Sequence, residues 1–393
     1  MRRLLGALRG DEGQTRYVGG CVRDTLLGLP VSDVDLATRL QPHEVMERLQ
    51  EVHIKAVPTG IAHGTVTAVL AEGPVEVTTL RRDVSTDGRR ATIAYTSDWK
   101  EDAARRDFTI NALSADPERA DIFDYFDGLA DLAARRVRFI GDPLTRIAED
   151  HLRILRFFRF HARFGAGDPD PLGLEACAAR ANDLMALSRE RIADELLKLL
   201  SLNDPSATLA LIVGRGILRP VLPEIDKSGV DELAELERRE AACGCEPHPV
   251  RRLAALIPPD PELAASVGAR LRLSNKTLKR LVSAAARLRE PVEHPRALAY
   301  RIGCEEAVDR LLLLGEPRRD LAEKVASLRS WKIPRLPLSG GDLIAMGLMP
   351  GPAVAKTLQA IERDWIAHDF PSDRESVRLL ARHHLDGVLR ASQ

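Results

Sequence analysis

Residues 32–37 read SDVDLA, and this short run constrains the fold more than any other in the chain. In a strand, residues two apart point to the same face, whereas on a helix they diverge by about 200°. With Val34 and Leu36 turned toward a core, Asp33 and Asp35 present two carboxylates side by side on the other face of a strand spanning Asp33 to Ala37. Two like charges that close are costly unless a cation lies between them, and hard oxygen ligands suit magnesium. A third acid is available in PVEVTTL, where Val75 and Val77 facing the core would place Glu76 on the opposite face of a strand in the same sheet. Three carboxylates converging on one sheet face make a two-metal site for in-line phosphoryl or nucleotidyl transfer.

An isolated Asp-x-Asp is more often a solvated strand end, so its surroundings decide. Upstream stand Gly19 and Gly20, which let backbone N–H groups approach an anion closely, and then Arg23 at the start of a helix. Taken singly, the glycines could equally form a tight turn and Arg23-Asp24 a surface ion pair. Together with the Asp pair they suit a triphosphate and the ions that bridge it.

Residues 1 to about 135 mix strand-like and helix-like runs, including His63 to Leu70 and Val75 to Leu80, which Gly73-Pro74 separates as the turn of a hairpin. The polar segment from Arg81 to Asp98 has little periodicity and reads as a mobile loop. Beyond it the texture is helical. From Thr145 to Phe164 one helix is expected, with Ile147, Leu152, Ile154, Leu155 and Phe158 on its apolar side and Arg153, Arg156 and Arg159 recurring every three residues on another. Proline-rich joints punctuate the rest, and the last of them, KIPRLPLSGGD, reads as a domain boundary. No internal repeat is evident.

No apolar run approaches the roughly 20 residues of a membrane span, and the start MRRLLGALRG is too short and too quickly charged for a signal peptide, so the cytoplasm is the expected setting. Five scattered cysteines argue for reduced thiols; Cys243-Gly-Cys245 with His248 lacks a fourth ligand for structural zinc. With 57 Lys and Arg against 58 Asp and Glu, the whole molecule offers no field for a polyanion, and any nucleic-acid contact must use a local basic patch. Lys276, Lys279 and Arg280 are one such candidate, a solvated helix face being the alternative. The sequence leaves the oligomeric state open.

The order of GGCVRD, then DVDLAT, resembles the signature of the polymerase-beta nucleotidyltransferase superfamily, and within it the class II group of bacterial tRNA CCA-adding enzymes and poly(A) polymerases. Further matches follow in order. RRDFTINAL at Arg105 to Leu113 resembles that group's ribose-binding motif, DYFDG at Asp124 to Gly128 its hinge, EDHLR at Glu149 to Arg153 its base-selecting motif, and SRERIADEL at Ser188 to Leu196 the helix that supports it. The segment from Ser339 onward is similar to the group's tail. The resemblance implies an α+β chain: a nucleotidyltransferase head with a small mixed sheet over 1–135, an all-α nucleotide-selecting neck over 136–200, a helical RNA-binding body over 201–333 and a tRNA-binding tail over 334–393. It implies Gly20 and Arg23 on the triphosphate, Asp33 and Asp35 on magnesium, Arg106 and Asp107 near the ribose, and Asp150, Arg153, Arg156 and Arg159 around the incoming nucleotide. The expected activity is metal-dependent addition of CCA to the tRNA acceptor end from CTP and ATP. Poly(A) polymerase, a CC-adding enzyme and a catalytically silent RNA-binding protein are the alternatives.

Asp150 and Arg153 are three apart, which on a helix puts both on one face. The Watson–Crick edges of cytosine and adenine each place an amino donor beside a ring-nitrogen acceptor; a carboxylate accepts from the first and a guanidinium donates to the second. Uracil and guanine show the reverse order and would meet donor with donor. An ordinary ion pair between Glu149 and Arg153 at i,i+4 is the competing reading, worth about 0.2–0.5 kcal/mol.

Overall fold

A computed structural model describes residues 1–87, 90–288, 294–315 and 318–391. The chain divides into two compact units, Met1–Lys227 and Ser228–Gln393, a coarser partition than the four segments expected from sequence.

The first unit is α+β. It carries α1 (Arg2–Ala7), β1 (Thr15–Val18), α2 (Gly20–Leu26), β2 (Asp35–Thr38), α3 (Pro42–Glu51), β3 (Lys55–Gly60), β4 (Thr65–Leu70) and β5 (Gly73–Thr79). After β6 (Arg81–Asp87) and β7 (Arg90–Tyr95) come α4 (Trp99–Ala104), β8 (Ser114–Ala115) and β9 (Ile122–Phe123). Seven strands form one mixed sheet in the order β3-β4-β5-β2-β1-β8-β9. Strand β2 runs parallel to β5 and antiparallel to β1, so the acid-bearing strand sits mid-sheet with a neighbour on each side. The alternation read from sequence sets the faces: Leu36, Val66, Ala68, Val75 and Val77 are buried with Val45 and Leu49 of α3 in one core.

Three local expectations are corrected. The turn between β4 and β5 lies at Ala71-Glu72, and Gly73 and Pro74 open β5, Gly73 pairing with Leu70; Pro74 sits at the strand start, where a missing donor is tolerated. Strand β2 begins at Asp35, so Asp33 lies in the preceding loop. The polar segment after Leu80 forms a β6–β7 hairpin in register from Arg81↔Tyr95 to Asp87↔Arg90, with an irregularity between Asp83 and Ser85. Residues 88 and 89 of the expected loop lie outside the described residues.

Helices follow: α5 (Gly128–Ala133), α6 (Pro143–Glu149), α7 (Arg153–Phe164), α8 (Pro171–Ala179), α9 (Arg189–Leu200) and α10 (Ser206–Gly214). The single helix expected from Thr145 to Phe164 is thus two, broken at residues 150–152. Before α5, Asp124 accepts hydrogen bonds from the backbone N–H groups of Phe126, Gly128 and Leu129. A Cβ on Gly128 would stand 2.4 Å from the Thr109 carbonyl oxygen, which explains a glycine there.

The second unit is helical: α11 (Lys227–Ala242), α12 (Pro249–Leu256), α13 (Pro261–Arg270), α14 (Asn275–Ala285), α15 (Pro295–Ile302), α16 (Cys304–Leu314), α17 (Arg318–Arg329), α18 (Gly340–Ala345), α19 (Pro352–Ala367) and α20 (Arg374–Ala391). Buried ion pairs tie four of these together. Arg251 reaches Glu240 and Asp309, Arg252 reaches Glu240 at 2.8 Å, and Arg280 reaches Asp309 at 2.6 Å. Arg280, a candidate phosphate partner by sequence, is therefore committed to an interior carboxylate. Leu343, Ile361 and Leu385 form a core of α18, α19 and α20, beside a cluster in which Trp365 and Phe370 meet Tyr300 and Trp331. Among the described residues no helix is long and apolar enough to cross a membrane.

Candidate active site

A cleft of about 590 Å³ opens in the first unit. Its lining joins three stretches of sequence: Gly19, Gly20 and Arg23 at the β1–α2 junction, Asp33 and Asp35 at the entry to β2, and Arg105, Arg106, Asp107 and Asn111 after α4. Asp150, Arg153, Arg156 and Phe160 complete it from the α6–α7 break and α7. All but two of the catalytic and nucleotide-binding residues expected from sequence thus meet at one place; Glu76 and Arg159 are not on its wall.

Gly19 has φ of +72°, a conformation that L side chains rarely adopt, and turns the chain from β1 into α2. One turn on, Arg23 is buried. Its Nε donates to Asp24 at 2.8 Å, its Nη1 donates to the Asn111 Oδ1 at 2.5 Å, and its guanidinium carbon lies 4.1 Å from the Phe164 ring centroid. The Arg23-Asp24 pair exists, but inside the protein rather than on its surface. Burial pulls the Arg23 guanidinium below its ordinary value, and Asp24 partly offsets this.

Asp35 and Glu76 occupy the same register on parallel β2 and β5, Glu76 exposed between buried Val75 and Val77 as strand parity requires. Burial raises the Asp35 carboxyl; Glu76 and Asp33 raise it further, against an opposing pull from Arg106. Asp33 instead follows its loop, with Oδ2 accepting from the Ser32 hydroxyl at 2.9 Å. Among the described residues no three His, Cys, Asp or Glu side chains come together closely enough to enclose an ion. The convergence expected from parity is therefore not preassembled, because parity governs β2 and β5 but not the residue that precedes β2. The donor set is nevertheless one that a hard divalent cation takes: carboxylate oxygens whose mutual repulsion a cation would relieve.

Across the cleft, Asp107 is held from two sides. Its Oδ2 accepts from Arg156 Nε and Nη2 at 2.8 and 2.6 Å, and its Oδ1 accepts from the Asn111 carboxamide at 2.9 Å. Burial alone would raise this carboxyl; Arg156 and Asn111 outweigh it and hold it below the usual range. Arg106 lies within reach of Asp102 at 3.6 Å and donates to the Asn111 carbonyl oxygen at 3.4 Å. Buried Asp102 also accepts from Arg105 Nε at 2.8 Å and from the backbone N–H of Arg81 at 3.2 Å, joining these arginines to the root of the β6–β7 hairpin.

Asp150 and Arg153 both line the cleft, though not as neighbours on one continuous helix. Asp150 leaves α6 with extended backbone (φ −151°, ψ 105°) and pairs with Arg191 of α9 at 2.8 Å. Arg153, the first residue of α7, donates to Glu149 at 2.6 Å and to the carbonyl oxygens of Arg146 and Arg105 at 3.0 and 2.9 Å. The Glu149 ion pair and the cleft position therefore coexist, and a guanidinium with five N–H donors retains capacity for a ligand. Arg159 turns away to Glu195, its Nε donating at 2.6 Å.

Sequence reasoning assigned no role to Asn111, Asp102, Arg191 or Glu195. Glu195 carried a signal: Ile192, Glu195, Leu196 and Leu199 form one stripe of α9, and the acid in that stripe is 3% exposed. An acid on a buried stripe requires cations, here Arg159 and Arg156.

Comparison with known proteins accords with this geometry. Residues 15–138 match the poly A polymerase head domain, and residues 169–228 match the family described as the probable RNA and SrmB-binding site of polymerase A. The mitochondrial CCA tRNA nucleotidyltransferase 1 of Mus musculus is 34% identical over 96% of this chain and 88% of its own length. The CCA-adding enzyme of Lacticaseibacillus paracasei is 32% identical over 96% and 94%. In structure, the Bacillus stearothermophilus CCA-adding enzyme in complex with CTP aligns over 99% of this chain and 98% of its own, with a TM-score of 0.77 and 26% identity. The Thermotoga maritima CCA-adding enzyme complexed with tRNA shares the fold, with a TM-score of 0.69 at 23% identity over 100% of this chain and 94% of its own.

A mixed sheet bearing carboxylates beside an arginine-lined cleft, on a chain that is otherwise helical, is the arrangement of a nucleotidyltransferase, and its relatives make it a template-independent one. The chain belongs to the family of CCA-adding enzymes and poly(A) polymerases. Nucleotidyl transfer in this family depends on a divalent metal ion.

Proposed function

We propose that this enzyme adds C, C and A in succession to the 3′ end of tRNA, drawing on CTP and then ATP, with Mg2+ as the ion. The observation that carries the reading is the meeting, in one cleft, of Gly20 and Arg23, the Asp33–Asp35 pair, and Asp150 with Arg153. The CTP complex of the Bacillus stearothermophilus relative supports it.

Asp33 and Asp35 would hold the ion, with Glu76 beside Asp35 on the next strand. When bound, such an ion activates a hydroxyl and neutralises charge on phosphate oxygens. Backbone at Gly20 and the Arg23 guanidinium hold the triphosphate so that its α-phosphorus faces the tRNA 3′ oxygen. The 3′ hydroxyl loses its proton to solvent as its oxygen bonds to phosphorus, the α–β phosphoanhydride breaks, and pyrophosphate leaves. Arg106 and Asp107 stand near the ribose, and Arg156 braces Asp107. Asp150 accepts from the exocyclic amino group of cytosine or adenine while Arg153 donates to the ring nitrogen, so the protein stands in for a template strand. Arg159 acts through Glu195 rather than on the nucleotide.

Within this reading the head spans 1–135, the neck 136–200, the body 201–333 and the tail 334–393, the last two gripping the acceptor stem by shape, phosphates and 2′-hydroxyls. The five free cysteines accord with a reducing compartment, the cytoplasm in our reading.

The test is incubation with Mg2+, CTP and ATP, separately and together, on tRNA lacking its 3′ end and on an unstructured RNA. One CCA on tRNA alone is expected. Long A tails would assign a poly(A) polymerase, CC alone a CC-adding enzyme, and absence of product would contradict the reading.

A further inference from the structure

Asn111 holds no place in the reaction described above, yet among the described residues it is the side chain that hydrogen-bonds both Arg23 and Asp107. It lies in a buried 3-10 turn, Thr109–Asn111, with its Oδ1 accepting from Arg23 at 2.5 Å and its Nδ2 donating to Asp107 at 2.9 Å. We infer that Asn111 is a positioning residue that locks the phosphate side of the cleft to its ribose side, so that a nucleotide meets both at a fixed spacing. The inference rests on the proposed assignment of Arg23 to the triphosphate and Asp107 to the ribose.

The chemistry singles out a carboxamide. Between a guanidinium and a carboxylate, the intervening group must accept on one side and donate on the other, from a rigid planar unit. A flipped amide would set NH2 against guanidinium and oxygen against carboxylate, so the flanking charges fix its orientation. The backbone of the same residue adds a third tie, since its carbonyl oxygen accepts from Arg106 at 3.4 Å. Asn111→Asp is nearly isosteric and keeps the acceptor for Arg23, but it turns a second carboxylate on Asp107. Asn111→Ala removes both ties.

Steady-state kcat and KM are measured for CTP and for 2′-deoxy-CTP in the first C addition to tRNA lacking its 3′ end. The proteins are the full-length parent, Asn111→Asp, Asn111→Ala, Asp107→Ala and the Asn111→Ala/Asp107→Ala double variant. We expect Asn111→Asp to reduce the kcat/KM preference for CTP over 2′-deoxy-CTP about tenfold, mostly through KM. The double variant should match Asp107→Ala alone in that ratio, because both changes remove one coupled unit. A merely structural role would lower activity on both substrates together and leave the ratio unmoved. If Asp107→Ala collapses the preference while the Asn111 variants retain it, or if the single effects multiply in the double variant, the inference is overturned and the ribose assignment stands. If Asp107→Ala retains the preference, the ribose assignment is at fault and the inference falls with it. Should Asn111→Ala fail to fold by far-UV circular dichroism, Asn111→Asp alone decides through the ratio; loss of fold in both would assign Asn111 to stability and overturn the proposal.

Discussion

Replacing Asp35 with asparagine should make the protein more stable while it removes nucleotidyl transfer. Asp35 opens β2 at the register of Glu76 on β5, and its carboxyl is raised by burial first and then by the Glu76 and Asp33 carboxylates. A carboxyl raised above its unfolded-state value opposes folding wherever it is ionised in both states, so at neutral pH this charge costs stability. Neighbouring strands lie about 4.8 Å apart. Two carboxylates at one register are then separated by roughly 5–6 Å, and 332/(εr) gives about 3 kcal/mol at an effective ε of 20 and about 0.7 kcal/mol at the water value. Glu76 is exposed, which places the repulsion near the lower end, about 1 kcal/mol. Equilibrium urea unfolding followed by far-UV circular dichroism, in EDTA at neutral pH, should show Asp35→Asn more stable than the parent by about that amount. Mg2+ should narrow the gap, because a cation relieves repulsion that the variant no longer has. A variant equal to or less stable than the parent in EDTA, or a gap indifferent to Mg2+, would refute the reasoning.

Two further predictions concern arginines that pair with acids of the cleft. Arg191→Ala releases Asp150 from a pair whose side chains are 34% and 30% exposed, so unfolding free energy should change by under about 1 kcal/mol while CTP-over-UTP preference falls in a competition assay. Unchanged preference would show that Arg191 does not position Asp150. Asp107 is held below the usual carboxylate range, chiefly by Arg156 against the effect of burial. Its contribution is present above the unfolded-state value of about 3.9 and is lost as pH falls through the lower folded-state value. The stability difference between the parent and Arg156→Ala, read by urea unfolding, should therefore stay constant from neutrality to about pH 5 and shrink only in stronger acid.

The sequence made the head and the cleft's main members legible because their signals are local. Leu36 beside Asp35 fixes a strand face, Val75 and Val77 fix Glu76 opposite it, and the ordered motifs name Arg106, Asp107 and Asp150. Tertiary contacts hid the rest. The break at 150–152 has no proline or glycine to announce it; it accompanies Asp150 accepting the Leu152 N–H at 3.1 Å and pairing with Arg191, forty-one residues away. In the β6–β7 hairpin, which pairs through backbone bonds, β6 (RRDVSTD) lacks the apolar alternation that marks a strand, so the partner of β7 is hidden. Arg159 shows how an i,i+3 series drifts: each step of three residues falls about 60° short of a full turn, so the third arginine lies about 120° from Arg153. That rotation brings it to Glu195 on α9 instead of the cleft.

In the proposed reaction Asp150 and Arg153 replace a template by reading the edges of C and A. This replacement is tested most directly by single-nucleotide incorporation on tRNA lacking its 3′ end, with CTP, ATP, UTP and GTP offered in turn to the parent and to Arg153→Ala. The account predicts that the parent rejects UTP and GTP, and that Arg153→Ala keeps residual transfer while losing discrimination by at least tenfold, the loss expected from one charge-assisted hydrogen bond of about 1.5–3 kcal/mol. An Arg153→Ala enzyme that still prefers CTP and ATP over UTP as strongly as the parent would contradict it.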